Sequence, residues 1–213
     1  MEAILASLLK ELKQAYDKSE IRQYCLKNGH EWHYDLITTT MVPGGPLILG
    51  FNWGASQDET YDPQYFVKKS NFYSENVGSL SRIFPYCEKY FGNDFLSKAS
   101  QSNYCFFRSR YERQISNKDI ELCEPIFEIL ISTIQPSSIL CLSSKLRDYL
   151  LSNDRISDIH SKEIKYKKGS SDVTYTAITG SMSDIEIKFL PHPSYPMKGE
   201  ARSAAWEFCC GNV

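Results

Sequence analysis

Ile185–Ser194 reads IEIKFLPHPS. A short apolar run ends at Leu190, and two prolines then bracket a histidine. The run from 185 to 190 has the length and composition of a buried strand closed by a turn. A second stretch of the same design lies far upstream. There Pro46–Phe51 reads PLILGF, and Asn52-Trp53-Gly54 follows it. In an open α/β sheet, polar residues just beyond the carboxyl ends of the strands line one crevice. Asn52 and His192 are therefore expected to face a common pocket.

The rest of the chain fills in around these two strands. Leu5, Leu8, Leu9, Leu12 and Tyr16 recur at helical spacing, which predicts one amphipathic helix over 2–27, ended by Asn28-Gly29. Pro43-Gly44-Gly45-Pro46 is a turn cluster, and 52–75 reads as a long polar and aromatic loop. Helix is expected within 76–98, and a second strand over 103–107. Ser116 with Asp119 gives an N-cap close to the capping-box pattern. Ile120, Cys123, Phe127, Leu130, Ile131 and Ile134 then line one face of a helix that Pro136 stops. Residues 138–142 read as a third buried strand, and Ser143 and Ser144 can cap a helix at 145–152. Residues 160–180 alternate and turn at Gly169-Ser170-Ser171, a hairpin signal. A last helix is expected at about 199–209. Strands alternating with helices imply a single α/β domain over 1–213 with a mainly parallel sheet.

Bulk composition narrows the function. Of the 213 residues, 42% are hydrophobic and 23% charged, as in an ordinary globular protein. The net charge is −2, so any nucleic-acid binding requires a local basic patch. Two such clusters occur, Arg108/Arg110/Arg113 and Lys165/Lys167/Lys168. The seven cysteines form no C-x2-C pair, which argues against a zinc ribbon or an iron–sulfur ligand set and for an intracellular, reducing setting. His30 and His33 with Asp35 lack a strong further ligand, so no metal site is expected. The N-terminus carries charges inside its apolar stretch and does not read as a signal peptide, and no apolar run reaches transmembrane length.

The strand-end motifs give the chain a resemblance to the uracil-DNA glycosylase superfamily. Members carry a first motif G-x-[ND]-P-[GY] and a second, H-P-S, each just after a core strand. Here these are Gly50-Phe51-Asn52-Trp53-Gly54 and His192-Pro193-Ser194. The single-strand-selective members also have an N-Y-C-P-like strand whose Asn reads the base, and Asn103-Tyr104-Cys105 is similar to it. The resemblance covers most of 46–208 in the expected order. It implies a three-layer αβα sandwich with a mainly parallel central sheet. The implied activity is monofunctional hydrolysis of the N-glycosidic bond of uracil or a modified pyrimidine, leaving an abasic site. No cofactor or metal is implied, and no lysine is placed by the motifs for a lyase step.

The resemblance also implies roles. Asn52 would position the attacking water, since an amide cannot act as a base at neutral pH. His192 would donate to the charge developing on the base, as an oxyanion-hole donor does. Asn103 would read the Watson–Crick edge of an extruded base. Gly50, Trp53 and a stacking aromatic, Tyr65 or Phe66, would complete the substrate pocket. Ser194 through its backbone N–H, Met197 as an exposed wedge, and Lys198, Arg202, Ser143 and Ser144 would meet DNA. The partner would be DNA, single- or double-stranded, with no membrane contact and a monomeric chain. Two departures bear on substrate identity: Trp53 stands where the family has Pro, and Phe106 where the base-reading strand has Pro. A bulky or hypermodified base would suit such an altered pocket. A catalytically inactive nucleic-acid-binding or protein-interaction module on the same fold stays open beside the enzyme. A hydrolase acting on a small substrate finds no G-x-S-x-G elbow, P-loop or paired strand-end carboxylates.

Overall fold

The apolar runs that precede the two motifs are both strands in the computed structural model, which describes residues 2–57, 78–197 and 199–211. In chain order the elements are α1 (Glu2–Lys18), α2 (Glu20–Asn28), β1 (Leu47–Gly50), β2 (Trp53–Gly54), α3 (Phe84–Phe91), α4 (Phe95–Lys98), β3 (Ser100–Asn103), β4 (Arg108–Ser109), α5 (Asn117–Ile134), β5 (Ile139–Cys141), α6 (Ser144–Ser152), β6 (Ser157–Lys168), β7 (Ser171–Met182), β8 (Ile185–Phe189) and α7 (Gly199–Cys210). The class is mixed α/β. The chain packs as two compact units. The first draws its residues from 1–44, 50–70 and 100–135, the second from 45–49, 71–99 and 136–213.

In the first unit, α1 and α2 pack on α5. The single helix expected over 2–27 is broken at Ser19. Its hydroxyl donates to the Tyr16 carbonyl at 2.6 Å and accepts from the Arg22 amide at 3.1 Å, the geometry of an N-cap. Asp119, fully buried on α5, strengthens the break. One of its oxygens accepts from the amides of Glu20 (2.8 Å) and Ile21 (3.3 Å), the other from the Ser116 amide and hydroxyl, both at 3.0 Å. One carboxylate thus caps α2 and completes the capping box of α5, where cap and dipole both favour negative charge. β2 and β4 form a short parallel ribbon, with Trp53 opposite Arg108 and Gly54 opposite Ser109. Arg108 also holds the buried Asp35 carboxylate through Nε and a terminal nitrogen, each at 2.7 Å.

In the second unit the strands run β1-β5-β8-β7-β6. β1, β5 and β8 are parallel, and β7 and β6 add an antiparallel hairpin at one edge. The parallel strands are apolar at consecutive positions because both faces are covered. Ile48, Leu140 and Leu190 join Ile83, Cys87, Leu96, Ala205 and Trp206 in one cluster, so α3, α4 and α7 close one face. Leu47, Leu49, Ile139, Cys141, Ile187 and Phe189, at the alternate positions, are buried as well. Lys188 breaks the apolar run of β8. It is fully buried, and its ammonium pairs with Glu186. The hairpin turns at Gly169, whose φ of 62° needs a residue tolerant of the left-handed region. Among the described residues, no helix is long and apolar enough to cross a membrane.

Candidate functional site

Asn52 and Asn103 both belong to the first unit, and each follows or ends a strand. The backbone runs that carry them are paired: the Tyr104 amide donates to the Gly50 carbonyl (3.1 Å), and the Cys105 amide to that of Phe51 (2.8 Å). β3 therefore ends on Asn103, whereas the sequence pattern put the strand over 103–107. The displacement changes Asn103 from a strand-opening residue to one at a carboxyl end.

Asn103 is 5% exposed. Among the described residues its side-chain amide makes no hydrogen bond, and it lies against the Gly50 backbone. A Cβ built on Gly50 would come within 2.1 Å of Asn103 Oδ1. Gly50 is thus the residue that leaves this amide its space. With no partner among the described residues, the amide is left for water or a ligand to satisfy.

Asn52 is half-buried and held by its nitrogen. Its Nδ2 donates to the Trp53 carbonyl (2.9 Å), the Phe107 carbonyl (3.4 Å) and the Ser109 hydroxyl (2.8 Å). Three acceptors around one nitrogen fix which way the amide points. Its Oδ1 accepts from no described residue, so a lone carbonyl oxygen is presented in a set direction. Ser109 in turn donates to the Tyr111 carbonyl at 2.9 Å, which orients its own hydroxyl. Sequence reasoning did not single out Ser109, for no motif marks it. Trp53 is buried, and its indole N–H donates to the Asp35 carbonyl. The indole is thereby committed to the interior, which corrects its expected place in a substrate pocket. Tyr65 and Phe66 lie outside the described residues.

His192 belongs to the second unit, just after β8. The Ser194 amide donates to His192 Nδ1 at 3.1 Å. In the neutral ring that bond places the remaining proton on Nε2, which becomes a donor. The packing around the ring, and secondly the Arg202 guanidinium, hold its pKa below the usual 6.5, so the neutral form persists at physiological pH. A small cavity of about 20 Å³, room for one water, is lined by His192 with Ser143, Ser144, Arg147, Tyr175 and Tyr195.

The loop that carries His192 is organised by Arg202. The guanidinium is 8% exposed and donates to the carbonyls of Met197 (3.0 Å), Pro191 (3.3 Å), His192 (3.3 Å), Pro193 (3.5 Å) and Tyr195 (2.8 Å). This overturns its expected role as a phosphate contact, because the five-donor fork is spent on carbonyls of the loop. Met197 is 1% exposed and packs in the core of the unit, so it is no wedge. An Arg that satisfies a proline-rich loop leaves the neighbouring Met to fill the space beneath. Ser194 is corrected too: its amide is engaged by His192, and the following helix begins only at Gly199. Ser143 caps α6 by accepting from the Leu146 amide at 3.2 Å, while Ser144 is exposed at the first helical position. Lys198 lies outside the described residues.

His30 stacks on Trp32 with ring centroids 4.3 Å apart, and Asp35 is held by Arg108. The sequence matches no protein-family model and no curated protein.

Proposed function

We propose that the protein is a monofunctional DNA glycosylase of the uracil-DNA glycosylase type, built on a three-layer αβα fold, that hydrolyses the N-glycosidic bond of uracil or a modified pyrimidine. The observation that carries this reading is the amide of Asn103: buried, unclaimed by any described residue, and given room by a glycine. An amide offers an acceptor and paired donors, which complements the O4/N3 edge of a uracil-like base. Asn52 supplies the second element. Its anchored nitrogen leaves Oδ1 to hold a water for attack, a positioning role worth rate through orientation rather than basicity. His192 supplies the third, a neutral imidazole with its proton on Nε2, able to donate to charge that builds on the departing base. Removal of such a donor typically costs ~10²–10³ in rate.

The test is a strand-cleavage assay. Labelled oligonucleotides carrying uracil, hydroxymethyluracil, hypoxanthine, a 5-substituted cytosine or no lesion are incubated with the protein, and alkali then cuts at abasic sites. One substrate is expected to be cut by the native protein and spared by both Asn52→Ala and His192→Ala. Cleavage of none, with DNA still bound, would replace the enzyme by a binding module on the same fold.

A further inference from the structure

The segment Arg110-Tyr111-Glu112-Arg113 follows β4 and is exposed throughout. Tyr111 is 47% exposed, and two guanidiniums lie over its ring. The central carbon of Arg113 is 4.9 Å from the ring centroid, and that of Arg110 is 5.3 Å away. Arg110 also donates to the Gln57 side-chain oxygen at 2.6 Å, which ties it to the chain just beyond β2. Among the described residues neither arginine pairs with a carboxylate. The segment is two hydrogen bonds from Asn52. The Ser109 hydroxyl accepts from Asn52 Nδ2 at 2.8 Å and donates to the Tyr111 carbonyl at 2.9 Å.

We propose that Arg110 and Arg113, racked on the Tyr111 ring, bind the phosphodiester backbone of a single nucleic-acid strand. This reading rests on the DNA-directed function above and names the surface that would hold nucleotides beside the reactive base. Charge comes first. The one carboxylate within 110–113 is Glu112, so the segment keeps a net positive charge in a chain whose net charge is −2. Arg108, two residues earlier, is spent on Asp35, whereas Arg110 and Arg113 keep their planar forks for an incoming oxyanion. Order comes second. A long cationic side chain loses rotamer freedom when it binds, and a guanidinium already laid against a ring has part of that loss behind it. Two charges gathered on one ring suit neighbouring phosphates of one strand, and arginine beside an exposed aromatic is the composition of surfaces that hold single strands without reading sequence. Position comes third. One hydroxyl joins the Tyr111 backbone to the Asn52 amide, and both belong to the first unit. A strand held by the two arginines therefore lies beside the amide that would position the water.

The experiment uses the full chain and a fluorescein-labelled, lesion-free oligothymidylate, read by anisotropy over a series of salt concentrations. Each phosphate contact on a single strand contributes about −0.7 to the slope of log K against log salt. Arg110→Gln/Arg113→Gln is expected to flatten the slope by roughly 1.4 and to weaken binding at low salt at least tenfold. Arg110→Lys/Arg113→Lys keeps both charges and should keep the native slope. Lys165→Gln/Lys167→Gln, a pair equally exposed but in the second unit, should also leave the slope as it is. A native slope and affinity in the glutamine variant overturns the proposal, as does a native protein that binds no oligothymidylate. A slope flattened as much by lysine as by glutamine overturns it too, because the loop rather than its charge would then be at fault. So does an equal loss in the Lys165/Lys167 variant, which would make bulk charge the cause. Loss of polyglutamate binding in the glutamine variant, with DNA binding intact, would assign the surface to an acidic peptide instead. The two readings fail separately: a flattened slope without excision of any base sinks the glycosylase and keeps the surface, and excision with an unaltered slope does the reverse.

Discussion

Alanine at position 50 would set its Cβ 2.1 Å from Asn103 Oδ1, far inside the contact distance of two non-bonded heavy atoms. Gly50→Ala must therefore push the Asn103 amide aside. Overpacking of this kind costs about 1–3 kcal/mol, and the variant should melt lower and lose any excision together. Asn52→Asp tests the neighbouring amide. The added oxygen would replace a donor that three acceptors surround, two of them carbonyls with no proton to give. We expect a loss of about 1–3 kcal/mol at neutral pH in denaturant titrations. The folded-state pKa of the new carboxyl must rise, so the penalty is present at high pH and shrinks as pH falls through that raised value. An Asp at this position that stabilised the protein would show that the amide is not held as described. At this scale the sequence drew attention to residues at strand ends and was uninformative about their bonds. Asn52, Asn103 and Gly50 stood in motifs. Ser109, which steers Asn52, and the burial of Met197 depend on contacts far along the chain, and local pattern does not encode them.

The loop from Pro191 to Met197 behaves as an element although it has no regular structure, because Arg202 on α7 accepts responsibility for its carbonyls. Arg202→Met would leave five acceptors without a donor in a largely buried place. A loss of about 3 kcal/mol is expected from several unsatisfied groups with partial relief by water, and urea unfolding would read it. Proton binding gives a second test of this loop. The His192 pKa is below 6.5 when folded and near that value when unfolded. Between the two, the unfolded chain binds the extra proton, so stability falls as pH falls through the folded pKa and is unaffected above the ordinary value. An imidazole NMR titration should place the midpoint below 6.5, and His192→Gln should remove the acid-side loss. Element types were largely legible from periodicity: the strands before both motifs, the capped helix at 117–134, the hairpin and the last helix all follow from apolar spacing and turn residues. The break at Ser19 was not. Its decisive partner, Asp119, lies about a hundred positions away and can be recognised as a cap only once α5 is in place.

For the molecule as a whole, the cysteines are reporters. All seven are free and buried. Burial pushes the thiols of Cys87, Cys141 and Cys209 up to about 12, which suppresses the reactive thiolate. A small thiol reagent at mildly alkaline pH should label none within the mixing time, and all seven in concentrated guanidinium, as counted by intact mass. Fast labelling of any one in native buffer would mean that its surroundings open readily. The alternation of strand and helix patterns predicted an α/β protein with a parallel core, while the grouping into two units is set by contact between distant segments. That division has a consequence for how the chain is made. Residues of the first unit are complete once position 135 has been added, whereas β5, the partner of β1, comes only afterwards. At cellular elongation rates of about 5–20 residues per second, β5 follows within roughly a second, but β8, the strand that covers the other edge of β5, takes roughly 3–11 s to be completed. Throughout that interval Ile139-Leu140-Cys141, apolar at every position, waits for its β8 neighbour on the ribosome. The nascent chain is most vulnerable to aggregation there, and a chaperone that shields apolar segments would have its use between the completion of β5 and the emergence of β8.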